Sequence, residues 1–114
     1  MPPSTEGGRG RVSKADSKRG IQRERDLVNL LRDEDWLAMR SPASLGPVDV
    51  IAMKAGHRTR LIEVKSTSRS AFAGFPPADR AGLSFMGKLA DADCYLVYWP
   101  KRSKPVWIPE SDWP

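Results

Sequence analysis

The pattern of apolar residues predicts one α/β domain whose elements follow the order αβββαβ. Apolar residues at helical spacing occur twice, in residues 16–33 and 78–91. Short apolar runs with strand character lie between and after them, and two of these runs flank a polar turn within residues 48–66. With 114 residues and 39% hydrophobic content, the chain can bury a single core.

The first helix is expected to begin at Asp16 or Ser17, either of which can cap it, and to end near Asp33. Residues 1–15 are rich in glycine, proline, serine and basic residues, and are expected to form a flexible basic tail. Residues 16–114 then form the single domain. The buried stripe of the helix should consist of aliphatic residues at helical spacing: Ile21, Leu27, Val28, Leu30 and Leu31.

Glu24 occupies an unexpected place on this helix. It follows Ile21 by three residues and precedes Val28 by four, so it lies in the middle of the face that should be buried. One interpretation is a glutamate at the edge of the stripe, paired with Arg23 or Arg25. The other is a functional carboxylate directed towards a site on the sheet.

The remaining elements follow from local signals. Residues 36–41 are expected to form the first strand, and residues 48–66 a β-hairpin around the turn Lys-Ala-Gly-His-Arg. A loop with Phe72 and Phe75 precedes the second helix, residues 78–91. Residues 94–99 form a further strand, and residues 106–108 a short last one.

Charge and cysteine content narrow the function classes. The net charge is +5, and residues 1–25 hold seven Lys/Arg and three acids, a net of +4. This excess indicates a polyanionic partner such as nucleic acid, although a solvated basic tail is the alternative. No apolar stretch approaches a membrane span and no signal-peptide core is evident. The single cysteine, Cys94, fits a reducing compartment, so a cytoplasmic location is expected, that of the host if the protein is viral.

Three charged residues interrupt the apolar runs of the hairpin. Asp49 lies in the first run, and Glu63 and Lys65 lie on one face of the second. Burial of an unpaired ion costs several kcal/mol, so folding alone does not account for them. A divalent cation held by the two carboxylates, with the lysine beside it, would account for all three.

The two acids provide hard oxygen ligands suited to Mg²⁺, with the Val64 backbone carbonyl as a further ligand. Such an ion would polarise a phosphate and lower the pKa of a bound water. Lys65 would orient that water or help to deprotonate it, and Glu24 would complete the outer shell or hold a second ion. The spacing Asp…Glu-X-Lys occurs by chance in many proteins, and its position on a hairpin makes it more specific.

Three segments together resemble a known family: Gly-Ile-Gln-Arg-Glu-Arg from Gly20, Arg-Ser-Pro-Ala-Ser-Leu-Gly-Pro-Val-Asp from Arg40, and Ile-Glu-Val-Lys-Ser-Thr from Ile62. They are similar to motifs of the archaeal-type Holliday junction resolvases, which belong to the PD-(D/E)XK nuclease superfamily. That resemblance implies a restriction-endonuclease-like αβββαβ core, with a mixed central sheet flanked by helices. It also implies a Mg²⁺-dependent structure-selective DNA endonuclease, with Mn²⁺ expected to substitute. The resemblance spans about residues 20–99, and its specific part ends at Thr67.

By this resemblance, the catalytic residues are Glu24, Asp49, Glu63 and Lys65. The resemblance further implies that DNA is contacted by residues near this cleft: Arg25, Arg40, Ser41, Ser44 and Ser66. Two departures stand out. Asp35 occupies a position where the family usually has a glycine, and the segment beyond Trp99 matches no family motif.

The resemblance implies a symmetric homodimer that nicks opposing strands of a four-way junction, with Phe72 and Phe75 at the dimer interface. A twofold dimer suits a substrate in which two cleavage points recur at a fixed separation. Alternatives are a nuclease of the same superfamily acting on another repair or recombination structure, and a non-catalytic DNA-binding module on the same fold.

Other conspicuous residues receive simpler interpretations. His57 is expected to be an exposed turn residue, and Cys94 a core residue. Trp36 and Trp99 border predicted strands and should pack in the core, whereas Trp107 and Trp113 have no assigned role. The basic turn of residues 101–104 either touches a DNA backbone or keeps a loop solvated.

Overall fold

The computed structural model describes residues 14–42, 46–66 and 70–114, with side chains from residue 19 onwards. The first helix, α1, spans Lys14–Asp33, and the second, α2, spans Pro77–Ala90. The strands are β1 (Leu37–Arg40), β2 (Val50–Met53), β3 (Arg60–Ser66), β4 (Asp93–Trp99) and β5 (Val106–Pro109), followed by a short 3₁₀ helix, Glu110–Asp112. No helix of these ranges is long and apolar enough to cross a membrane.

The five strands form one sheet in the order β1-β2-β3-β4-β5. Strands β1, β2 and β3 pair antiparallel as a meander. Strand β4 runs parallel to β3, because α2 makes the crossover between them, and β5 returns antiparallel to β4. The predicted element order and mixed sheet are therefore confirmed, and the short last strand is a true sheet member.

Side-chain alternation along the strands gives the sheet two buried faces. On one face, Leu27 and Leu31 of α1 pack against Val50, Ile62 and other residues of the central strands. On the other face, Leu83 of α2 packs against Leu61 and its neighbours. Glu63 and Lys65 belong to the same alternation set as Leu61, so they point to the α2 side of the sheet.

Helix α1 begins at Lys14, two residues before the predicted start, and ends at Asp33 as expected. Its end is a Schellman motif: the Trp36 amide donates to the Leu31 carbonyl and the Asp35 amide donates to the Arg32 carbonyl, each at 3.0 Å. Asp35 adopts φ +70°, the left-handed conformation that this motif requires. This conformation explains why a glycine suits this position.

The C-terminal segment, which matched no motif, packs on both sheet faces. Trp107 meets Tyr95 edge-on at 5.3 Å between ring centroids. Trp113 meets Phe75 edge-on at 5.0 Å, and its indole nitrogen donates to the Ile108 carbonyl at 3.1 Å. Both tryptophans therefore contribute to the cores of the domain.

Candidate active site

Asp49 lies just before β2 and links the strands on both sides of it. Its amide donates to the Ile62 carbonyl, and its own carbonyl accepts from the Ser41 amide, each at 2.8 Å. Its carboxylate accepts a hydrogen bond from the Val64 amide at 2.8 Å. The side chain thus satisfies a backbone donor of β3 at the point where β2 no longer pairs with it.

Glu63 is the buried carboxylate of the site, with 4% of its surface exposed. Its Oε2 lies 3.0 Å from Lys65 Nζ. Its Oε1 is buried and has no hydrogen-bond donor among the residues that the structure describes. Burial, followed by the charge of Asp49, raises the pKa of Glu63 to about 8, against the opposing effect of Lys65.

Lys65 is held between Glu63 and the loop that precedes α2. A Cβ at Gly74 would lie 3.4 Å from Lys65 Cδ and 3.7 Å from its Nζ, so the loop backbone passes directly beside the lysine side chain. Sequence reasoning missed Gly74. The only available signal was a glycine among small residues between Phe72 and Phe75, which equally fits an ordinary loop.

Glu24 reaches the same site from α1. Its Oε1 accepts from Arg40 Nε at 3.0 Å, and its side chain is 18% exposed. Burial and the charge of Asp49 raise the pKa of Glu24, while Arg40 and Lys65 act to lower it. The predicted quartet Glu24, Asp49, Glu63 and Lys65 therefore converges at one end of the sheet.

The ligand chemistry of this end of the sheet fits a hard divalent cation. Asp49 and Glu63 offer carboxylate oxygens, and the buried Glu63 Oε1 has no protein donor within the described ranges. The amide and carbonyl of one strand residue point to the same side, so the Val64 carbonyl also faces the side of Asp49. Within the described part of the chain, no group of three or more histidine, cysteine, aspartate or glutamate side chains is placed to hold a metal ion, so Asp49 and Glu63 would act as a pair. Water and a substrate phosphate would have to complete the shell, as is usual for Mg²⁺.

A family profile described as archaeal Holliday junction resolvase (Hjc) matches residues 15–102. The chain belongs to this resolvase family. Hjc of Archaeoglobus fulgidus, a Holliday junction resolvase from an archaeal hyperthermophile, has a similar solved structure, with a TM-score of 0.69 and 22% sequence identity. The match covers 82% of this chain and 74% of the Archaeoglobus chain. This likeness confirms the predicted fold. A search of curated proteins finds no significant match.

The residues that the family resemblance predicts to contact DNA differ from one another in exposure and in hydrogen bonding. Arg25 is exposed on α1, whereas Arg40 is engaged by Glu24. Ser41 is half-buried at the end of β1, and its hydroxyl donates to the Pro42 carbonyl at 3.0 Å. Ser66 ends β3, and Ser44 lies outside the described residues.

The two aromatic residues that were predicted to lie at a dimer interface differ in exposure. Phe72 is half-buried and stacks on Phe75 with 6.4 Å between ring centroids. Phe75 is completely buried in the α2-side core, where Trp113 also covers it. Phe75 therefore has no exposed surface to offer a partner in this structure, and the interface stays a prediction that would rest on Phe72.

Proposed function

We propose that this member of the resolvase family is a Mg²⁺-dependent endonuclease that cuts four-way DNA junctions by hydrolysing phosphodiester bonds. The observation that carries the proposal is the buried Glu63, whose Oε1 has no donor among the described residues. Without a cation, a carboxyl buried beside Asp49 avoids the cost of ionisation only by keeping its proton, which is what the raised pKa of Glu63 describes. Membership of the resolvase family supports branched DNA as the substrate.

Asp49 and Glu63 would hold Mg²⁺, with the Val64 carbonyl as a third protein oxygen and Glu24 in the outer shell or on a second ion. Mn²⁺ should substitute, because it accepts the same oxygen ligands. Bound there, the cation would supply positive charge at the scissile phosphate and lower the pKa of the attacking water. A titration of the purified protein with MgCl₂, in which the melting temperature is measured at each concentration, tests this site directly.

Lys65 would act on the attacking water. Its ammonium lies 3.0 Å from Glu63 Oε2 and beside Gly74, so its position is restricted before substrate arrives. Hydrolysis forms a bond from the water oxygen to phosphorus and breaks the bond to the leaving sugar oxygen, which receives a proton. Lys65 can orient the water for this attack and stabilise the charge that builds up on the phosphate oxygens.

The proposed assembly is a homodimer in which each protomer nicks one of two opposing strands. A twofold pair of sites suits the repeated geometry of a four-way junction. Phosphate contacts and arm geometry would then provide most of the recognition, with little reading of base edges.

A second candidate is a non-catalytic DNA-binding module on the same fold. Its support is the basic character of the chain, with a net charge of +5. A protein that only binds DNA gains nothing from acids facing a phosphate, because the acids repel it. The two candidates differ in their metal response: a carboxylate cluster should bind the junction better once Mg²⁺ neutralises it, whereas a simple binder should hardly respond.

The deciding experiment incubates the protein with a labelled, immobile four-way junction or a linear duplex of matching sequence, with Mg²⁺ or EDTA. We expect paired symmetric nicks in the junction, only with Mg²⁺, and an intact duplex. Cleavage of both substrates would retain a nuclease but remove the junction specificity. Binding without cleavage under Mg²⁺ or Mn²⁺ would favour the non-catalytic module.

A further inference from the structure

A groove of about 350 Å³ lies between α1 and the edge strand β1. It is lined by residues of both elements: Arg25, Val28, Asn29, Arg32, Met39 and Arg40. Arg40 connects the groove to the candidate active site, because its Nε also contacts Glu24. The groove therefore leads away from the four clustered catalytic candidates along the outer edge of the sheet.

The charge of the groove is strongly one-sided. Three of its lining residues are arginines, and the described residues that line it include no acid. Neither Arg25 nor Arg32 forms an ion pair with a carboxylate in the described part of the chain. By contrast, a larger cavity of about 600 Å³ elsewhere includes three acids in its lining: Asp91, Asp93 and Glu110. Of these two cavities, the arginine-lined groove is the one whose charge suits a polyanion.

Arg32 is already oriented for a ligand. Its Nε donates to the Ala38 carbonyl of β1 at 3.1 Å, which fixes the plane of the guanidinium. The terminal nitrogens keep their own donors, and a planar guanidinium presents them in the geometry that phosphate oxygens accept. The groove also has an apolar part, formed by Val28 and Met39, against which the arginine stems can pack.

The spacing of the polar residues matches a nucleic-acid strand. Arg25, Asn29 and Arg32 are four and three residues apart, so they form one stripe along α1. At 1.5 Å per residue, Arg25 and Arg32 are separated by about 10 Å along the helix axis. That distance equals the axial rise of about three nucleotides of one DNA strand. Two arginines and an amide at this spacing can each meet a phosphate or sugar oxygen.

We propose that this groove binds the phosphodiester backbone of the DNA strand next to its scissile phosphate, with Arg32 and Asn29 as contacts beyond Arg25 and Arg40. The inference rests on the proposed function and extends the substrate-binding surface along α1. Arg32 provides a charged contact and Asn29 a neutral one. Neither residue touches the reacting phosphate, so both position the substrate.

The test compares Arg32→Gln with Lys88→Gln, which removes the same charge from an exposed position on α2, on the opposite sheet face. Binding to a junction and to a linear duplex is measured in EDTA by fluorescence anisotropy between 50 and 200 mM salt, concentrations of the order used for such titrations. For Arg32→Gln we expect a several-fold higher Kd. The slope of log K against log salt should become smaller in magnitude by about 0.9. Lys88→Gln should change neither.

Two further variants separate charge from folding. Arg32→Lys keeps the charge and should restore the salt slope, although it lacks the Nε bond to Ala38. Asn29→Ala should weaken binding while leaving the slope unchanged, because the amide releases no counterion. Melting temperatures of all variants establish that each is folded at the assay temperature.

Equal salt slopes for wild type and Arg32→Gln would overturn the proposal that the groove binds DNA. Equal losses of binding affinity in Arg32→Gln and Lys88→Gln would overturn it as well. The proposed function fails differently: wild-type protein would leave the junction uncut in Mg²⁺. The groove proposal is tested by DNA binding in EDTA, on the linear duplex as well as on the junction. The outcome of this test therefore does not depend on cleavage.

Discussion

At the residue scale, Glu63 best connects structure to function. Most buried polar atoms in proteins have a hydrogen-bond partner, and an exception in an otherwise packed sheet requires an explanation. Glu63 Oε1 is such an exception within the described ranges, and the neighbouring Asp49 makes its ionisation more costly still. Once Glu63 ionises, this arrangement destabilises the metal-free protein and favours cation binding.

Replacing Glu63 with glutamine should abolish Mg²⁺-dependent cleavage while junction binding stays equal or becomes tighter. The variant keeps the shape of the side chain but removes a ligand charge that also repels phosphate. Cleavage and anisotropy assays on the four-way junction measure the two effects. Glu34→Gln, at an exposed acid after α1, is the matched control and should cut normally. Loss of binding in Glu63→Gln would contradict the metal-site assignment.

The raised pKa of Glu63 predicts a pH-dependent stability of the metal-free protein. The folded-state pKa of about 8 exceeds the ordinary value of 4.5, so the folded protein holds the proton more tightly than the unfolded chain. The associated stability is complete below about pH 4.5, falls as pH rises, and is lost above about pH 8. Each unit of difference corresponds to about 1.4 kcal/mol.

Urea unfolding at pH 5.5, 7 and 8.5, values chosen to span roughly the interval between the two pKa values, should therefore show stability falling with pH. Glu63→Gln should show a much smaller fall, because its amide does not titrate. Added Mg²⁺ should stabilise the wild type most at the highest pH, where the ligand is ionised. Parallel pH profiles for the two proteins would argue against an uncompensated buried carboxyl.

At the element scale, the ends of the helices decide how the chain enters the sheet. Asp35, two residues after the end of α1, adopts the left-handed conformation and places Trp36 against the α1-side core. Asp91 ends α2 in the same conformation, with φ +52°, and leads into β4. Both helices use an aspartate where glycine is easier, so each turn carries some backbone strain.

Asp35→Gly should stabilise the domain by about 0.5–1 kcal/mol, since glycine adopts the left-handed region without a Cβ clash. Asp35→Ala should destabilise it, because alanine keeps the clash and lacks the local hydrogen bonding that lets aspartate tolerate this region. Thermal or urea unfolding of the two variants gives the comparison. Equal destabilisation by glycine and alanine would show that the aspartate side chain itself holds the turn.

Gly87 shows how α2 is seated on the sheet. A Cβ at this position would collide with Cys94 Sγ, whose thiol donates to the Leu83 carbonyl at 3.3 Å. Gly87→Ala should therefore cost about 1–3 kcal/mol, as overpacking typically does. The double variant Gly87→Ala/Cys94→Ala should recover part of the loss relative to the sum of the single changes. Strict additivity in urea unfolding would mean that the two residues do not share the space.

At the scale of the whole molecule, the predictable features are those with a short sequence period. Alternation along the hairpin placed Glu63 and Lys65 on one face, and helical spacing directed Glu24 towards the sheet. The pairing of Arg40 with Glu24, across 16 positions, and the approach of Gly74 to Lys65 depend on tertiary packing that no local pattern encodes. The burial of Phe75 under Trp113 was missed for the same reason.

The N-terminal residues provide a test of how the whole chain binds DNA. Removing residues 1–13, which end immediately before α1, deletes Arg9 and Arg11 but no described element. We expect weaker junction binding, a salt slope smaller by up to about 2, and an unchanged melting temperature. Combining the deletion with Arg32→Gln should lower the slope additively, because the tail and the groove would neutralise different phosphates. An unchanged slope after deletion would show that the tail makes no phosphate contact, leaving the groove and the active-site arginines to account for the salt dependence.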